Sequence, residues 1–352
     1  MPKDEKLDII RFFQAALERG ASDIIFTAGM PPSVRLNGAI VQFDYPPLTA
    51  EQTVKLVYSI LSQDQIARFE REWELDFSVQ YKSEGRFRGN AYKQKGAVAA
   101  VFRIIPNTIP TIEQLGLPPI LAEVCLQPQG LLLFTGPTGH GKSTTQAALI
   151  QLINRTRACH IITVEDPVEY LHKSEKSVID QREVGDDTLS FAAALKHVLR
   201  QDPDVIQIGE LRDLESMTMA LTAAETGHLV MATLHTNSAT QAVDRIIDVF
   251  PPYQQNQVRT QLSFCLLAVI SQRLLPRATA QGLVPAVEVM RNQPSVANLI
   301  RQGKTEQLAT VIETQGRLGM QSMDAALKDL IAHGLITKEQ ALRYASHPQA
   351  FG

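Results

Sequence analysis

The stretch Gly136-Pro137-Thr138-Gly139-His140-Gly141-Lys142-Ser143 is a complete G-x-x-x-x-G-K-[ST] loop, and its flanks decide how it is read. The apolar run Leu131-Leu132-Leu133-Phe134 before it predicts a buried strand, and Ser143 to Ile153 after it predicts a helix. A strand leading into a glycine-rich turn, followed at once by a helix, aims backbone N–H groups and the positive helix end at one anion. Residues Gly136 to Ser143, with Thr144 beside them, are therefore the candidate cradle for the phosphates of a nucleoside triphosphate. In this reading Lys142 reaches the β- and γ-phosphates and the Ser143 hydroxyl sits on Mg²⁺.

Downstream, short apolar runs alternate with helical segments. The runs are Leu131 to Thr135, Ile161 to Val164, Val205 to Ile208, Leu229 to Leu234 and Val284 to Met290. This alternation predicts an α/β fold with a mostly parallel sheet, whose ligands lie beyond the carboxyl ends of its strands. After residue 291 the pattern turns to amphipathic helices, notably Met323 to Ala332 and Lys338 to Tyr344. Upstream, a smaller α+β domain is expected. Leu7 to Arg19 has helical spacing, Asp23 to Ala28 and Ser33 to Phe43 read as strands, and Asn37-Gly38 supplies a hairpin turn. A second helix starts after Thr49, with Gln52 completing a capping box, and three strands follow: Leu75 to Tyr81, Gly85 to Gln94 and Ala97 to Ile105. Pro106, Pro110, Pro118 and Pro119 mark a linker. The expected organisation is thus 1–105, a linker over 106–119, a phosphate-loop domain over 120–290 and a helical carboxyl-terminal part over 291–352.

A length of 352 residues suits two domains, and 44% hydrophobic residues suffice for two cores. The formal charge, 34 minus 37 or −3, gives no basis for a nucleic-acid partner. The amino terminus reads as no signal peptide, and no stretch approaches the ~18 apolar residues of a spanning segment. Cys125, Cys159 and Cys265 lack C-x-x-C spacing and read as buried, reduced thiols, not a zinc or disulfide set.

Two acidic motifs stand at predicted strand ends. Thr163-Val164-Glu165-Asp166-Pro167 closes one run, and Val205 to Ile208 leads into Gly209-Glu210, with glycine where a metal-holding aspartate usually stands. Glu165 is favoured as the base that polarises the attacking water and Glu210 as the Mg²⁺ partner through water, the reverse remaining open. Asp166 is placed at the nucleotide or, alternatively, as a cap for a helix opening at Pro167. His228 and His235 flank Leu229 to Leu234, too far apart along a strand to chelate one ion. A γ-phosphate sensor is the sharper reading for them. Arg86 and Arg88 alternate along one predicted strand and share a face, with Arg103 on the next.

Taken together, the phosphate loop, Thr163 to Glu169, Gln181-Arg182-Glu183-Val184, Arg200 with Asp202-Pro203-Asp204, the run ending at Glu210 and Thr222 to Thr236 resemble the hexameric secretion-type ATPases. Within them, the resemblance is to the type IV pilus retraction motors. It implies a PAS-like first domain, a RecA-like ATPase domain and a homo-hexamer with ATP held between a subunit's two domains. It further implies Glu165, Glu210 and Lys142 as catalytic, His228 and His235 as nucleotide-linked, and Arg86, Arg88 and Arg103 as phosphate contacts. The implied setting is the cytoplasmic face of the inner membrane, with a pilus platform protein and a second retraction or extension ATPase as partners. The short lead before the loop and the isolated cysteines favour retraction over extension. The retraction signature appears as Ser295-Val296-Ala297-Asn298-Leu299-Ile300-Arg301-Gln302, with Ala297 and Gln302 departing from the family pattern. This leaves as alternatives an accessory or regulatory retraction paralogue with weak ATPase activity, or a related secretion or nucleic-acid translocation ATPase. His140 replaces the small residue usual at its position, without an evident reason.

Overall fold

The computed structural model describes residues 7–36, 38–81, 85–105, 108–279 and 282–352. The chain forms two compact units, divided between Thr108 and Ile109. The predicted turn residue Asn37 and the linker residue Pro106 lie outside the described residues.

In the first unit, Asp8 accepts from the Ile10 N–H at 3.0 Å and starts helix α1 (Ile9–Glu18). Strands β1 (Asp23–Phe26), β2 (Ser33–Leu36) and β3 (Ala39–Gln42) precede helices α2 (Ala50–Tyr58) and α3 (Gln63–Glu72). Both helices open on capping boxes, Thr49 with Gln52 as expected, and Ser62 with Gln65, which the sequence reading passed over. Strands β4 (Glu74–Tyr81), β5 (Gly85–Gln94) and β6 (Ala97–Ile105) complete a six-stranded sheet of order β3-β2-β1-β6-β5-β4. Its core is aromatic: Phe13 stacks on Phe87 at 4.0 Å between ring centroids, and Phe102 meets Phe13, Phe26 and Phe77 edge-on. Gly89 lies beneath these rings. A Cβ there would stand 2.6 Å from Phe77 Cζ and 2.9 Å from Phe102 Cε1. Gly89→Ala is therefore expected to destabilise this unit by about 1–3 kcal/mol through overpacking, seen as an earlier transition in thermal unfolding of the full chain.

The second unit begins with α4 (Ile112–Leu115) and α5 (Ile120–Cys125), so part of the proline-marked stretch is helical. Ile112 and Leu117 pack into the same core as Leu149 and Ile153. There follow β7 (Gly130–Thr135), α6 (Lys142–Thr156), β8 (His160–Glu165), β9 (Val178–Glu183), α7 (Phe191–Val198), β10 (Val205–Ile208), α8 (Leu214–Glu225), β11 (Leu229–Leu234) and α9 (Ala239–Asp248). Then come α10 (Pro252–Cys265), β12 (Leu266–Pro276), β13 (Leu283–Arg291), α11 (Pro294–Gln302), α12 (Leu308–Thr314), α13 (Met323–Ala332) and α14 (Lys338–Leu342). The sheet order is β13-β12-β7-β11-β10-β8-β9. Every pair is parallel except β12 with the edge strand β13. Every residue of β7, β10 and β11 is buried, as helices on both faces of a parallel sheet require. Parallel alignment brings the ends of β7, β8, β10 and β11 to one edge. Among the described residues, no helix is long and apolar enough to cross a membrane.

Candidate functional site

The phosphate loop leaves β7 at that edge. Gly136, Gly139 and Gly141 have φ of 136°, 79° and 80°, a region closed to most side chains. Two of them are also packed against β12: a Cβ on Gly136 would come within 2.4 Å of the Gln272 carbonyl oxygen, and one on Gly141 within 2.8 Å of Gln272 Nε2. Gly141 is the N-cap of α6 and makes no side-chain cap, so the N–H groups of the first turn remain available to an anion. Lys142 is 8% exposed, and its Nζ donates to the carbonyls of Gly136 at 2.7 Å and Pro137 at 2.9 Å. Burial lowers its pKa, opposed by Glu210 and Glu169. Thr144 Oγ1 lies 3.0 Å from the Tyr170 hydroxyl.

One cavity joins Ser143 and Gln146 of α6 to Glu165, Asp166, Glu210 and Arg212. Glu165 ends β8 and is 8% exposed, with Thr163 Oγ1 donating to its Oε1 at 2.7 Å and Gln181 Nε2 to the same oxygen at 3.3 Å. Burial pushes its carboxyl up to about 7, against those two donors and the Glu169 backbone. β8 continues into β9 with no helix between them, so Asp166 is not the helix cap that the sequence allowed.

Glu210 behaves oppositely. Burial alone would raise its pKa, but Arg212 Nη2 at 2.7 Å and His235 Nε2 at 3.1 Å outweigh it and hold the carboxyl below its ordinary range. The backbone beneath it is clipped to both neighbouring strands. Gly209 N–H donates to the Val164 carbonyl at 2.8 Å, Leu211 N–H to the Thr233 carbonyl at 3.0 Å, and the Thr233 hydroxyl to the Gly209 carbonyl. A Cβ on Gly209 would meet the Phe191 ring at 3.1 Å and the Val164 carbonyl at 3.3 Å. Little room is left at position 209 for the aspartate usual there.

The two histidines part company. His235 reaches Glu210, whereas His228 precedes β11, whose first residue pairs with Gly130 at the opposite end of β7 from the loop. Its Nδ1 donates to the Ala223 carbonyl at 2.9 Å. Six strand residues, about 20 Å at ~3.3 Å each, separate it from the phosphate edge of its own unit, which places the two histidines at opposite ends of β11 as their spacing implied. Arg86, Arg88 and Arg103 belong to the first unit. Arg88 is exposed and stands opposite Arg103, which is held by Asp23 at 3.1 Å, and Arg86 shares the Arg88 face of β5. Sequence reasoning missed Arg212, Tyr170 and Gln272 altogether. Gln181 lay in a quoted motif but had no role.

A family described as "Type II/IV secretion system protein" matches residues 6–346. The chain is 46% identical over 345 residues to the type IV pilus retraction ATPase PilT of Pseudomonas aeruginosa, covering 98% of this chain and all of that protein. It is 46% identical to a twitching motility protein of Neisseria gonorrhoeae, over 91% of this chain and 85% of that one. The type IV pilus ATPase PilU of P. aeruginosa is 42% identical, over 96% and 89%. Among solved structures, the pilus retraction motor PilT with bound ADP superposes with a TM-score of 0.93 at 48% identity, covering 98% of this chain and 99% of that one.

Proposed function

The chain belongs to the Type II/IV secretion system protein family, and on that premise we propose that it is the ATP-hydrolysing motor of type IV pilus retraction and twitching motility. The single observation that carries this is near-complete coverage of a retraction ATPase at 46% identity, with a phosphate loop and two differently tuned glutamates at one sheet edge. The cradle fits a nucleotide, since side chains at Gly136 or Gly141 would collide with β12 and the α6 amino terminus carries no side-chain cap.

Bound ATP supplies the phosphoryl bond to be broken, and Mg²⁺, held by Ser143 with Glu210 through water, would neutralise charge on the phosphates. Lys142 Nζ exchanges the Gly136 and Pro137 carbonyls for phosphate oxygens. Glu165, whose Oε1 accepts from Thr163 and Gln181, takes the proton of the attacking water. Glu210 stays ionised between Arg212 and His235. Arg86, Arg88 and Arg103 enter as further phosphate contacts on their chemistry alone. The assembly is a homo-hexamer at the cytoplasmic face of the inner membrane, acting on a pilus platform protein.

A second reading, an accessory retraction paralogue, is favoured by Ala297 and Gln302 in the signature helix α11. Deletion in the host tests both. Loss of twitching with accumulated surface pili is expected for the principal motor, and unchanged piliation and motility would overturn it in favour of the accessory role.

A further inference from the structure

We propose that His140 is a positioning residue that latches the phosphate loop to β12 and thereby sets nucleotide affinity. The pairing of β12 with β7 ends at Ser271 opposite Thr135, so β12 runs on past the end of its neighbour. Beyond that point the strand has backbone donors on the β7 side with no strand to receive them. The loop takes their place. Leu274 N–H donates to His140 Nδ1 at 2.9 Å, and Gln272 Nε2 donates to the His140 carbonyl at 2.9 Å while its Oε1 accepts from Thr145 Oγ1 at 2.7 Å. His140 is thus tied to β12 by both ring and backbone.

An Nδ1 that accepts carries no proton, so the ring is the neutral Nε2–H tautomer. Burial, then Arg273 on β12 and Lys142 on α6, lower its pKa and favour that form. The small residue usual at this position would leave the Leu274 N–H without this acceptor and the loop tip freer to move. Ordering that tip then falls to the nucleotide, at a cost in affinity. Glu165 ends β8 and Glu210 follows β10, both away from β12, so the effect falls on KM and Kd more than on kcat.

The inference rests on the loop being a nucleotide cradle, and the experiment separates the two. Binding of a fluorescent ADP analogue and steady-state ATP hydrolysis are measured for the full-length wild type, His140→Ala, His140→Asn and His140→Gln. Asn places its side-chain oxygen near the position of Nδ1, whereas Gln reaches toward that of Nε2. Kd and KM are expected to rise about fivefold in Ala and Gln, the worth of one ordinary hydrogen bond, with Asn restoring most of the loss. Equal affinities for Asn and Gln, or wild-type affinity in Ala, overturn the latch alone. No binding by the wild type overturns the cradle and the latch together.

Discussion

Lys142→Ala is expected to lower kcat/KM for ATP by about 10² to 10³-fold, the cost of removing one preorganised charge from a water-poor site. The side chain is almost fully buried and already held by two loop carbonyls, so its ammonium arrives at the phosphates without a search through solvent. Phosphate-release assays at saturating and limiting ATP measure the loss, with thermal unfolding to show that the variant folds. Turnover near the wild-type rate would remove Lys142 from the site and, with it, the reading of the loop.

Glu165→Gln is expected to cut kcat by about 10² to 10⁴-fold while nucleotide binding survives, since the amide keeps the shape but cannot take a proton. The wild type should also show an acid limb. With its carboxyl pushed up to about 7, Glu165 is protonated and idle below that pH and ionised above it. The rate therefore rises through about pH 7 to a plateau, and the residual rate of the glutamine variant lacks that limb. If the same loss and the same vanished limb follow Glu210→Gln instead, the two carboxylates exchange roles. The geometry argues against that exchange, because Glu210 is bound on both oxygens by cationic or cation-forming groups and its carboxyl is held low.

The parts of the fold that were legible in the sequence were those with local signals. The capping box at Thr49 and Gln52, the run Leu131 to Thr135 and the helix Met323 to Ala332 each announce themselves within a dozen residues. Ser62 and Gln65 carry the same capping signal, and α3 was missed because its mostly polar sequence leaves only Phe69 buried. β12 is harder, since it follows α10 without a turn residue and its continuous apolar start does not distinguish strand from helix. The site divides the same way. The loop and both glutamates are motif residues, but that His235 reaches Glu210 and His228 does not follows only from knowing which end of a parallel strand meets the loop. Arg212 and Gln272 depend on tertiary placement, and no spacing in the chain announces them.

The reliance of the phosphate loop on β12 has a consequence for how the protein is made. Gln272 and His140 are 132 positions apart, so during synthesis the loop emerges long before the strand that shapes it. Until β12 pairs with β7, Gly136 and Gly141 have no surface to rest against, and their freedom is a liability in place of an asset. Contacts that close so long a segment form late, after the entropy of closure has been met. The shape in which the loop meets a nucleotide is therefore complete only once β12 has emerged and paired, with β13 and the carboxyl-terminal helices still to follow.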